Sequence, residues 1–386
     1  MKLLYVSTLD HIVRAMLPHL TGAKAAGYRV EVACRVTRFG DDIRAVCDRL
    51  HDVPVARFPA HPDNLLALRQ LTDLMRRERY DVVHCHNPSG GFVGRLAATR
   101  ANTGALRVYT AHGFHFHRHG GRVSNAVFET LERYAGHYLS DAVYVINEED
   151  YDAAQRKHIV PSAKLFRTRG VGVSTGEQFD PATVTDTERE TFRAAIGASE
   201  STPVLTVVGE MLLRKRQFDA ITALPHIVTT YPDAVLVLVG DGQMLAQNQA
   251  LAASLGVSAH CRFLGWRGDV RTILAATDVF VFASAQEGLP CAIQEALSMR
   301  VPVVATDVRG NRELVSDATG RLVPLADPRR LAVAVNELLC LSPTERKKMG
   351  QRGRDKMVAE YDRAVCVAEW LDLYRVAETR RTAGQT

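Results

Sequence analysis

The chain has 386 residues, of which 46% are hydrophobic and 24% charged, with a mean hydropathy of −0.09. These proportions are typical of a folded, soluble protein, and no apolar run approaches the roughly 20 residues of a membrane-spanning helix. The apolar stretch LLYV near the start is too short for the core of a signal peptide. Seven dispersed cysteines without a C-x-x-C pair indicate reduced thiols in a cytoplasm and argue against a disulfide scaffold or a zinc module.

The net charge of +5 is unevenly distributed. Residues 1–170 hold 24 Lys and Arg against 17 Asp and Glu, whereas the rest of the chain holds 24 against 26. A basic first half predicts an anionic partner such as a phosphorylated substrate or an anionic membrane surface, although a solvated arginine-rich face explains the same composition. Nucleic acid is disfavoured, because the basic residues are dispersed and no aromatic residues interleave a basic motif.

Short apolar runs alternate with helical patterns from the first residues onward, which predicts parallel sheets built from strand–helix–strand units. A helix that ends at Gly27 and a second helix over Asn64–Glu78 belong to the first series of these units. The predicted strands of this series are Lys2–Val6, Arg29–Ala33, Asp81–Cys85, Leu106–Ala111 and Asp141–Ile146.

A second series follows a stretch over Gly170–Thr202, which is predicted to be a linker with a short helix near Glu188–Ala195. Its predicted strands are Val204–Val208, Ala234–Val239, Cys261–Phe263, Val279–Ala283 and Val303–Ala305. Since a single core rarely exceeds roughly 250–300 residues, we predict an α/β fold of two Rossmann-like domains facing a central cleft. The expected divisions are residues 1–172, the linker and start of the second domain 173–200, the second domain 201–363, and a C-terminal helix with polar tail 364–386 that crosses back to the first domain.

The strongest motif is FASAQEGLPCAIQEALSMRVPVVAT, which joins a predicted strand to a helix that begins at Pro290. Gly288 allows a ligand to approach the backbone, and the free amides of a helix start favour an anion. Glu287 lies beside this anion position, and Glu295 lies roughly 8 Å along the helix axis. Two carboxylates on either side of an anion suit the hydroxyls that flank the diphosphate of a nucleotide sugar. The alternative is a capping carboxylate with a surface glutamate.

The segment EGLPCAIQEALSMRVPVVATDVRGNRELV resembles the E-x7-E signature of retaining glycosyltransferases of the GT-B fold, in family 4. HCHNPSGGFVGRLAA, YTAHGFHF, VINEEDYDAA and DVRGNREL extend the resemblance over nearly the whole chain, toward a bacterial branch that serves capsule, exopolysaccharide or lipid-linked oligosaccharide assembly. The resemblance implies transfer of a hexose or N-acetylhexosamine from a UDP-sugar to a polyprenyl diphosphate-linked or oligosaccharide acceptor, with anomeric configuration retained. It implies no cofactor and no catalytic metal.

The resemblance also implies which residues hold the donor. Glu287 would bind hydroxyls of the donor sugar and act in catalysis, and Glu295 would bind the ribose. Gly288 and Leu289 would offer backbone amides to the sugar or the diphosphate.

A basic residue in the loop GEMLLRKR is expected to meet the diphosphate, and Lys215 matches it, as a donor-binding and catalytic residue. Relatives usually have an arginine soon after the glycine of this loop, where this chain has Glu210. Arg214 is the candidate that replaces the missing charge. The alternative is that Arg214, Lys215 and Arg216 are only the solvated start of a helix.

The segment FLGWRGDV is similar to the family segment that recognises the base. Trp266 or Arg267 is therefore expected near the uracil. Asp269 is expected to cap the following helix.

The loop NPSGGFVG is expected on the acceptor side, where the amides of Gly90 and Gly91 would receive an anion such as a lipid diphosphate. Asn87 and Ser89 belong to the same predicted site. A helix-capping loop is the alternative.

The histidines of the first half permit a metal interpretation, because His115, His117 and His119 alternate as on one face of a strand. We predict no metal, since no cysteine or acidic box accompanies them. By resemblance, His112 would reach the donor sugar and the reacting centre as a catalytic residue. His115 and the others are expected either to contact acceptor phosphate or to pack.

A lipid-linked acceptor implies peripheral attachment at the inner face of the cytoplasmic membrane. We predict that the helix over 64–78 forms the contact, with Leu71 and Leu74 dipping toward lipid, unless these leucines face the core. The basic residues of this helix and its end are Arg69, Arg76, Arg77 and Arg79.

Two alternatives to a transferase remain open. One is a UDP-sugar epimerase on the same double-Rossmann architecture, and the other is a non-catalytic sugar-nucleotide-binding protein. Release of UDP only in the presence of an acceptor would distinguish the transferase from both.

Overall fold

The structure, a computed structural model, describes residues 1–58, 61–116 and 121–383. The chain forms two compact units: the first contains residues 1–171 and the C-terminal segment from residue 364, and the second contains residues 172–363. Each unit is built around one sheet in which every neighbouring pair of strands is parallel.

The strand order of the first sheet is β3-β2-β1-β4-β5-β6-β7, and that of the second is β10-β9-β8-β11-β12-β13. The strands are β1 Lys2–Leu9, β2 Arg29–Arg35, β3 Arg49–Asp52, β4 Val82–His86, β5 Leu106–Ala111, β6 Ala142–Val145, β7 Leu165–Arg167, β8 Val204–Val208, β9 Val235–Val239, β10 Cys261–Gly265, β11 Val279–Phe282, β12 Val303–Thr306 and β13 Gly320–Val323.

Helices connect successive strands, as parallel pairing requires. They are α1 Asp10–Ala15, α2 Leu17–Ala25, α3 Gly40–Arg44, α4 Asp63–Glu78, α5 Pro88–Ala101, α6 Arg122–Tyr134, α7 Glu148–Arg156, α8 Asp186–Ala195, α9 Gln217–Val228, α10 Leu245–Ser254, α11 Val270–Ala275, α12 Cys291–Ser298, α13 Asn311–Leu314, α14 Pro328–Cys340, α15 Pro343–Glu360 and α16 Arg363–Ala383.

The predicted α/β class with two Rossmann-like units is confirmed. All ten predicted strands are present, and the structure adds β3, β7 and β13, each at the edge of a sheet. The predicted helix of the segment 364–386 is present as α16, which continues to Ala383 and so includes most of this segment.

The C-terminal helix α16 contributes large aromatic side chains to the core of the first unit. Trp370 and Tyr374 are buried there among residues of the sheet such as Leu3 and Tyr5. The hydroxyl of Tyr374 lies 2.6 Å from Nδ1 of His84, a fully buried side chain of β4. Burial of this aromatic cluster holds α16 on the first unit.

The prediction that Leu71 and Leu74 of α4 dip toward lipid is wrong, and the alternative, that these leucines face the core, is confirmed. Leu71 and Leu74 are buried in the core of the first unit with Ala97 of α5, whereas Leu65 of the same helix is 74% exposed. The leucines face the sheet because burying both side chains contributes more than roughly 3 kcal/mol to folding. Within the described part of the chain, no helix combines the length and the apolarity that a bilayer crossing needs.

Candidate active site

The loop after β11 and the loop after β8 meet at an ion pair in the second unit. Lys215 Nζ donates to Glu287 Oε1 at 2.6 Å, and both side chains are largely buried. Arg214 lies 3.6 Å from the same carboxylate oxygen and is half exposed. The two basic residues therefore surround Glu287 rather than forming a solvated helix start.

Backbone contacts fix the Glu287 loop on both sides. Ala285 N–H donates to the carbonyl of Arg214 at 2.8 Å, and Arg309 Nε donates to the carbonyl of Glu287 at 3.1 Å. Gly310 has φ +81°, and a Cβ there would lie 2.3 Å from the carbonyl oxygen of Gly288. Only glycine permits this approach, so Gly310 sets the position of the Glu287 loop.

Glu295 lies in the middle of α12, whose N-cap is Pro290, so the helix starts at Cys291, one residue later than predicted. Loss of hydration raises the pKa of Glu295 to about 7, and the nearby Arg363 guanidinium opposes this shift. Arg363 Nε is buried and has no hydrogen-bond partner among the described residues. Glu295 therefore lies in a poorly hydrated environment with a guanidinium nearby.

The predicted base-binding loop follows β10. Trp266 is 69% exposed, and Arg267 pairs with the Asp269 carboxylate at 2.5 and 2.8 Å. Asp269 stands at the N-cap of α11 but its side chain makes no capping bond. The expectation that Asp269 caps this helix is thus wrong, because the guanidinium of Arg267 is the stronger partner for the carboxylate.

Glu210 and Leu289 also lie on loops at the carboxyl ends of strands in the second sheet. Glu210 is exposed, and its carbonyl accepts a hydrogen bond from the Gln217 side chain at 3.0 Å. Leu289 is largely buried. The loops after β8 and β9 are held close together, since Met211 N–H donates to the carbonyl of Asp241 at 2.7 Å.

The first unit holds a pocket of about 460 Å³. Its lining includes Arg57, Asn87, His112, His115 and Phe128. Asn87 has φ +62° and ψ 159°, a conformation that is almost restricted to glycine. Its Nδ2 is buried and has no hydrogen-bond partner among the described residues. A strained residue with an unused buried donor in a pocket suggests a ligand contact.

The neighbouring glycines do not offer free amides. Gly90 N–H donates to Thr8 Oγ1 at 3.1 Å, and Gly91 N–H donates to the carbonyl of Asn87 at 2.6 Å. The expectation that these amides receive an anion is therefore wrong. A Cβ on Gly91 would lie 2.3 Å from the Tyr109 ring, so this glycine permits close packing of α5 on the sheet. The Ser89 hydroxyl likewise donates to the carbonyl of Arg57.

His112 follows β5 and contacts a second histidine. Its Nε2 lies 3.1 Å from Nδ1 of His86, which is buried and stacks on Tyr5. Burial lowers the pKa of His112 to about 4 and also lowers that of His86. Both rings are therefore neutral at pH 7, and their hydrogen bond fixes the orientation of His112.

The remaining histidines separate into different environments. His115 is exposed, follows the end of β5 rather than continuing it, and packs at 5.0 Å from the Phe128 ring. His117 and His119 lie outside the described residues. Among the residues that are described, no cluster of three or more histidine, cysteine, aspartate or glutamate side chains is arranged to hold a metal ion. All seven cysteines are free.

Sequence reasoning missed three residues around these sites. Arg309 lies in the quoted motif DVRGNREL, where its arginine was a usable signal. His86 lies two residues after His84 in the motif HCHNPSGGFVGRLAA, but nothing in the sequence indicates that it contacts His112. Arg363 lies 68 positions beyond Glu295 and outside every motif, so only the fold brings the two together.

Comparison with known proteins gives consistent matches over most of the chain. Residues 188–356 match the family "Glycosyl transferases group 1", and residues 12–168 match the family "Glycosyl transferase 4-like domain". A protein of Bacillus subtilis (strain 168) that is named as the glycosyltransferase EpsD is 34% identical over 376 residues, which cover 97% of this chain and 96% of that protein.

Two further similarities are more distant. The UDP-Gal:alpha-D-GlcNAc-diphosphoundecaprenol alpha-1,3-galactosyltransferase of Escherichia coli is 30% identical over 268 residues, or 68% of this chain and 67% of that one. The crystal structure of Anabaena Alr3699/HepE in complex with UDP and glucose superposes with a TM-score of 0.81 at 18% identity, covering 97% of this chain and 99% of the other. At this identity, the structural match supports the fold.

Proposed function

We propose that this chain, which belongs to the family-4 glycosyltransferases of the GT-B fold, is a retaining transferase. It moves a hexose or N-acetylhexosamine from a UDP-sugar to a lipid-linked or oligosaccharide hydroxyl, and the anomeric configuration of the sugar is retained. The observation that carries this proposal is the buried contact between Lys215 and Glu287, which prepares a cation and a carboxylate at the start of α12. The acceptor class is supported by the name of the Escherichia coli relative, and the nucleotide by that name and by the UDP complex of the Anabaena structure.

Retention through a covalent intermediate requires a nucleophilic carboxylate beside the anomeric carbon. Glu287 is a poor nucleophile, because its Oε1 already accepts a hydrogen bond from Lys215 and lies 3.6 Å from Arg214. We therefore favour departure and attack on one face of the sugar. The bond from the anomeric carbon to the diphosphate breaks, the acceptor oxygen bonds to the same face, and its proton passes to the leaving phosphate oxygen. Lys215 stabilises the negative charge that develops on the diphosphate.

The test is UDP release by the purified chain with UDP-galactose, UDP-glucose or UDP-N-acetylglucosamine and a polyprenyl diphosphate-sugar acceptor in detergent. We expect UDP only when both substrates are present, and a product whose anomeric configuration, read by NMR, matches the donor. Glu287→Gln should lower turnover by about tenfold or more, the loss of one charge-assisted contact. Glu190→Gln is the matched control, because the Glu190 side chain is 70% exposed on α8.

Other outcomes would contradict the proposal in distinct ways. Conversion of one UDP-sugar into another without UDP release would identify an epimerase. Binding of UDP-sugars without turnover on any acceptor would identify a binding protein. Turnover of a GDP-sugar alone would reject the nucleotide assignment.

A further inference from the structure

Helix α6 turns its apolar side chains toward solvent. Val123, Val127, Leu131 and Tyr134 are 80%, 52%, 37% and 49% exposed. Their spacing of four, four and three residues places them on one face of the helix. Tyr138, in the π-helical turn that continues α6, is 68% exposed. An amphipathic helix of a soluble protein normally buries this face, so its exposure calls for a partner.

The acidic side chains of the same helix point inward and are neutralised there. Glu132 is buried, where its carboxylate lies 3.2 Å from Arg95 and accepts a hydrogen bond from the Tyr109 hydroxyl at 3.1 Å. Glu129 pairs with Lys157. The exposed residues of α6 consequently include two arginines, Arg122 and Arg133, and no carboxylate. The exposed surface of α6 is therefore apolar along one face, with the two arginines beside that face.

A different side of α6 contributes to the pocket of the first unit. Phe128 lines this pocket, together with Arg57 and Phe58 of the segment before α4. The side chain of Phe58 is 69% exposed, so the pocket also has an apolar residue that faces solvent. One helix thus presents an apolar face to solvent and a lining residue to the pocket that contains the strained Asn87.

We propose that α6 is an interfacial helix whose outward face inserts into the headgroup region of an anionic bilayer. Valine and leucine side chains supply apolar area, tyrosines suit the boundary between tails and headgroups, and arginines attract anionic lipid. The proposal rests on the lipid-linked acceptor of the proposed function, since it brings the pocket beside the membrane that carries such a lipid. A second copy of the chain would also cover an apolar face, but its α6 would offer two more arginines and no exposed carboxylate to pair with them.

Vesicle flotation without donor or acceptor tests the surface independently of the reaction. The chain should float with vesicles of phosphatidylcholine containing about one third phosphatidylglycerol, and binding should weaken in about 0.5 M salt, where the screening length is roughly 4 Å. Val127→Asp should lower the partition coefficient about tenfold, because it places a carboxylate on the inserting face. Val333→Asp is the matched control, since Val333 is 49% exposed on α14 of the second unit.

Comparison of the two variants and a measurement of molecular mass distinguish membrane binding through α6 from misfolding and from dimer formation. If Val127→Asp unfolds at the same temperature as the wild type but no longer floats, the loss of flotation is due to the changed surface and not to misfolding. Equal flotation of both variants, equal binding to pure phosphatidylcholine, or no binding would overturn the proposal. A dimer in light scattering that Val127→Asp dissociates would overturn it in favour of a second copy. UDP release in detergent should persist in Val127→Asp, so failure of the membrane proposal leaves the reaction testable.

Discussion

Lys215 Nζ and Glu287 Oε1 lie 2.6 Å apart and join two loops that are 72 positions apart in the sequence. The pair is mostly withdrawn from water, with side-chain exposures of 15% and 10%. A buried ion pair of this kind contributes little net stability, because desolvation of both charges offsets their attraction. Its effect is to hold a cation and an anion in fixed positions before any substrate binds.

Lys215→Ala should weaken UDP binding by about tenfold, because it removes a charge-assisted contact to the diphosphate. Isothermal titration with UDP measures this change. Arg214→Ala is the comparison, and we expect a smaller loss, since Arg214 is more exposed and lies 3.6 Å from Glu287. If only Arg214→Ala weakened UDP binding, the diphosphate contact would belong to Arg214.

Glu295 should make stability depend on pH. The folded protein retains the proton of Glu295 up to about pH 7, whereas the unfolded chain releases it near 4.5. This contribution to stability is complete below about pH 4.5 and is lost as the pH rises through about 7. Glu295→Gln cannot ionise, so it should match the wild type at pH 4.5 and exceed it by about 1–3 kcal/mol at pH 8.

Thermal unfolding at the two pH values measures the Glu295 effect. Glu190→Gln, on an exposed site, should show no comparable gain at pH 8. Equal stability of Glu295→Gln and wild type at pH 8 would mean that Glu295 is well hydrated in the folded chain.

Gly310→Ala should destabilise the second unit more than Gly256→Ala. Both glycines have a positive φ, +81° and +70°, so alanine pays about 1 kcal/mol at either position. Only at Gly310 would the Cβ also meet the carbonyl of Gly288, whereas nothing lies within 4 Å at Gly256. We expect an additional loss of about 1–3 kcal/mol in chemical unfolding and weaker UDP binding. Equal losses would show that the Glu287 loop adapts freely.

Asn87→Gly should stabilise the first unit and impair acceptor use. Glycine adopts the observed φ of +62° without strain, which is worth about 1 kcal/mol or more. The same change removes the buried Nδ2 from the pocket. We expect a higher melting temperature with a higher KM for the acceptor, whereas Asn87→Ala should raise KM and lower the melting temperature. An unchanged KM in both variants would exclude Asn87 from the acceptor site.

The strands that were predicted from the sequence and those that were missed differ in their position in the sheet. Val279–Phe282 is buried at every residue, and its apolar run identifies it directly. Arg49–Asp52, at an edge of the first sheet, has no fully buried residue, and its letters RLHD show no apolar pattern. An edge strand pairs on one side only and does not need a continuous apolar run. Sequence periodicity therefore detects buried strands better than edges.

The residues of the candidate site could be predicted where a single loop motif identifies them. Glu287 and Lys215 each stood in a recognisable loop, and the fold brings them into contact. The partners of Gly90 and Gly91 depend on where Thr8 lies across the sheet, which no local pattern gives. Leu71 shows the same limit, since an amphipathic helix with arginines reads alike whether its leucines meet lipid or a core.

The position of α16 has a consequence for synthesis on the ribosome. Trp370 and Tyr374 fill the core of a unit whose other residues end at 171, so all of residues 172–363 are translated before that core can close. The second unit can fold as a contiguous segment, whereas the core of the first unit stays incomplete until Trp370 and Tyr374 have been synthesised. A nonsense codon shortly before Trp370 would therefore spare the second unit and leave the first as a target for chaperones and proteases.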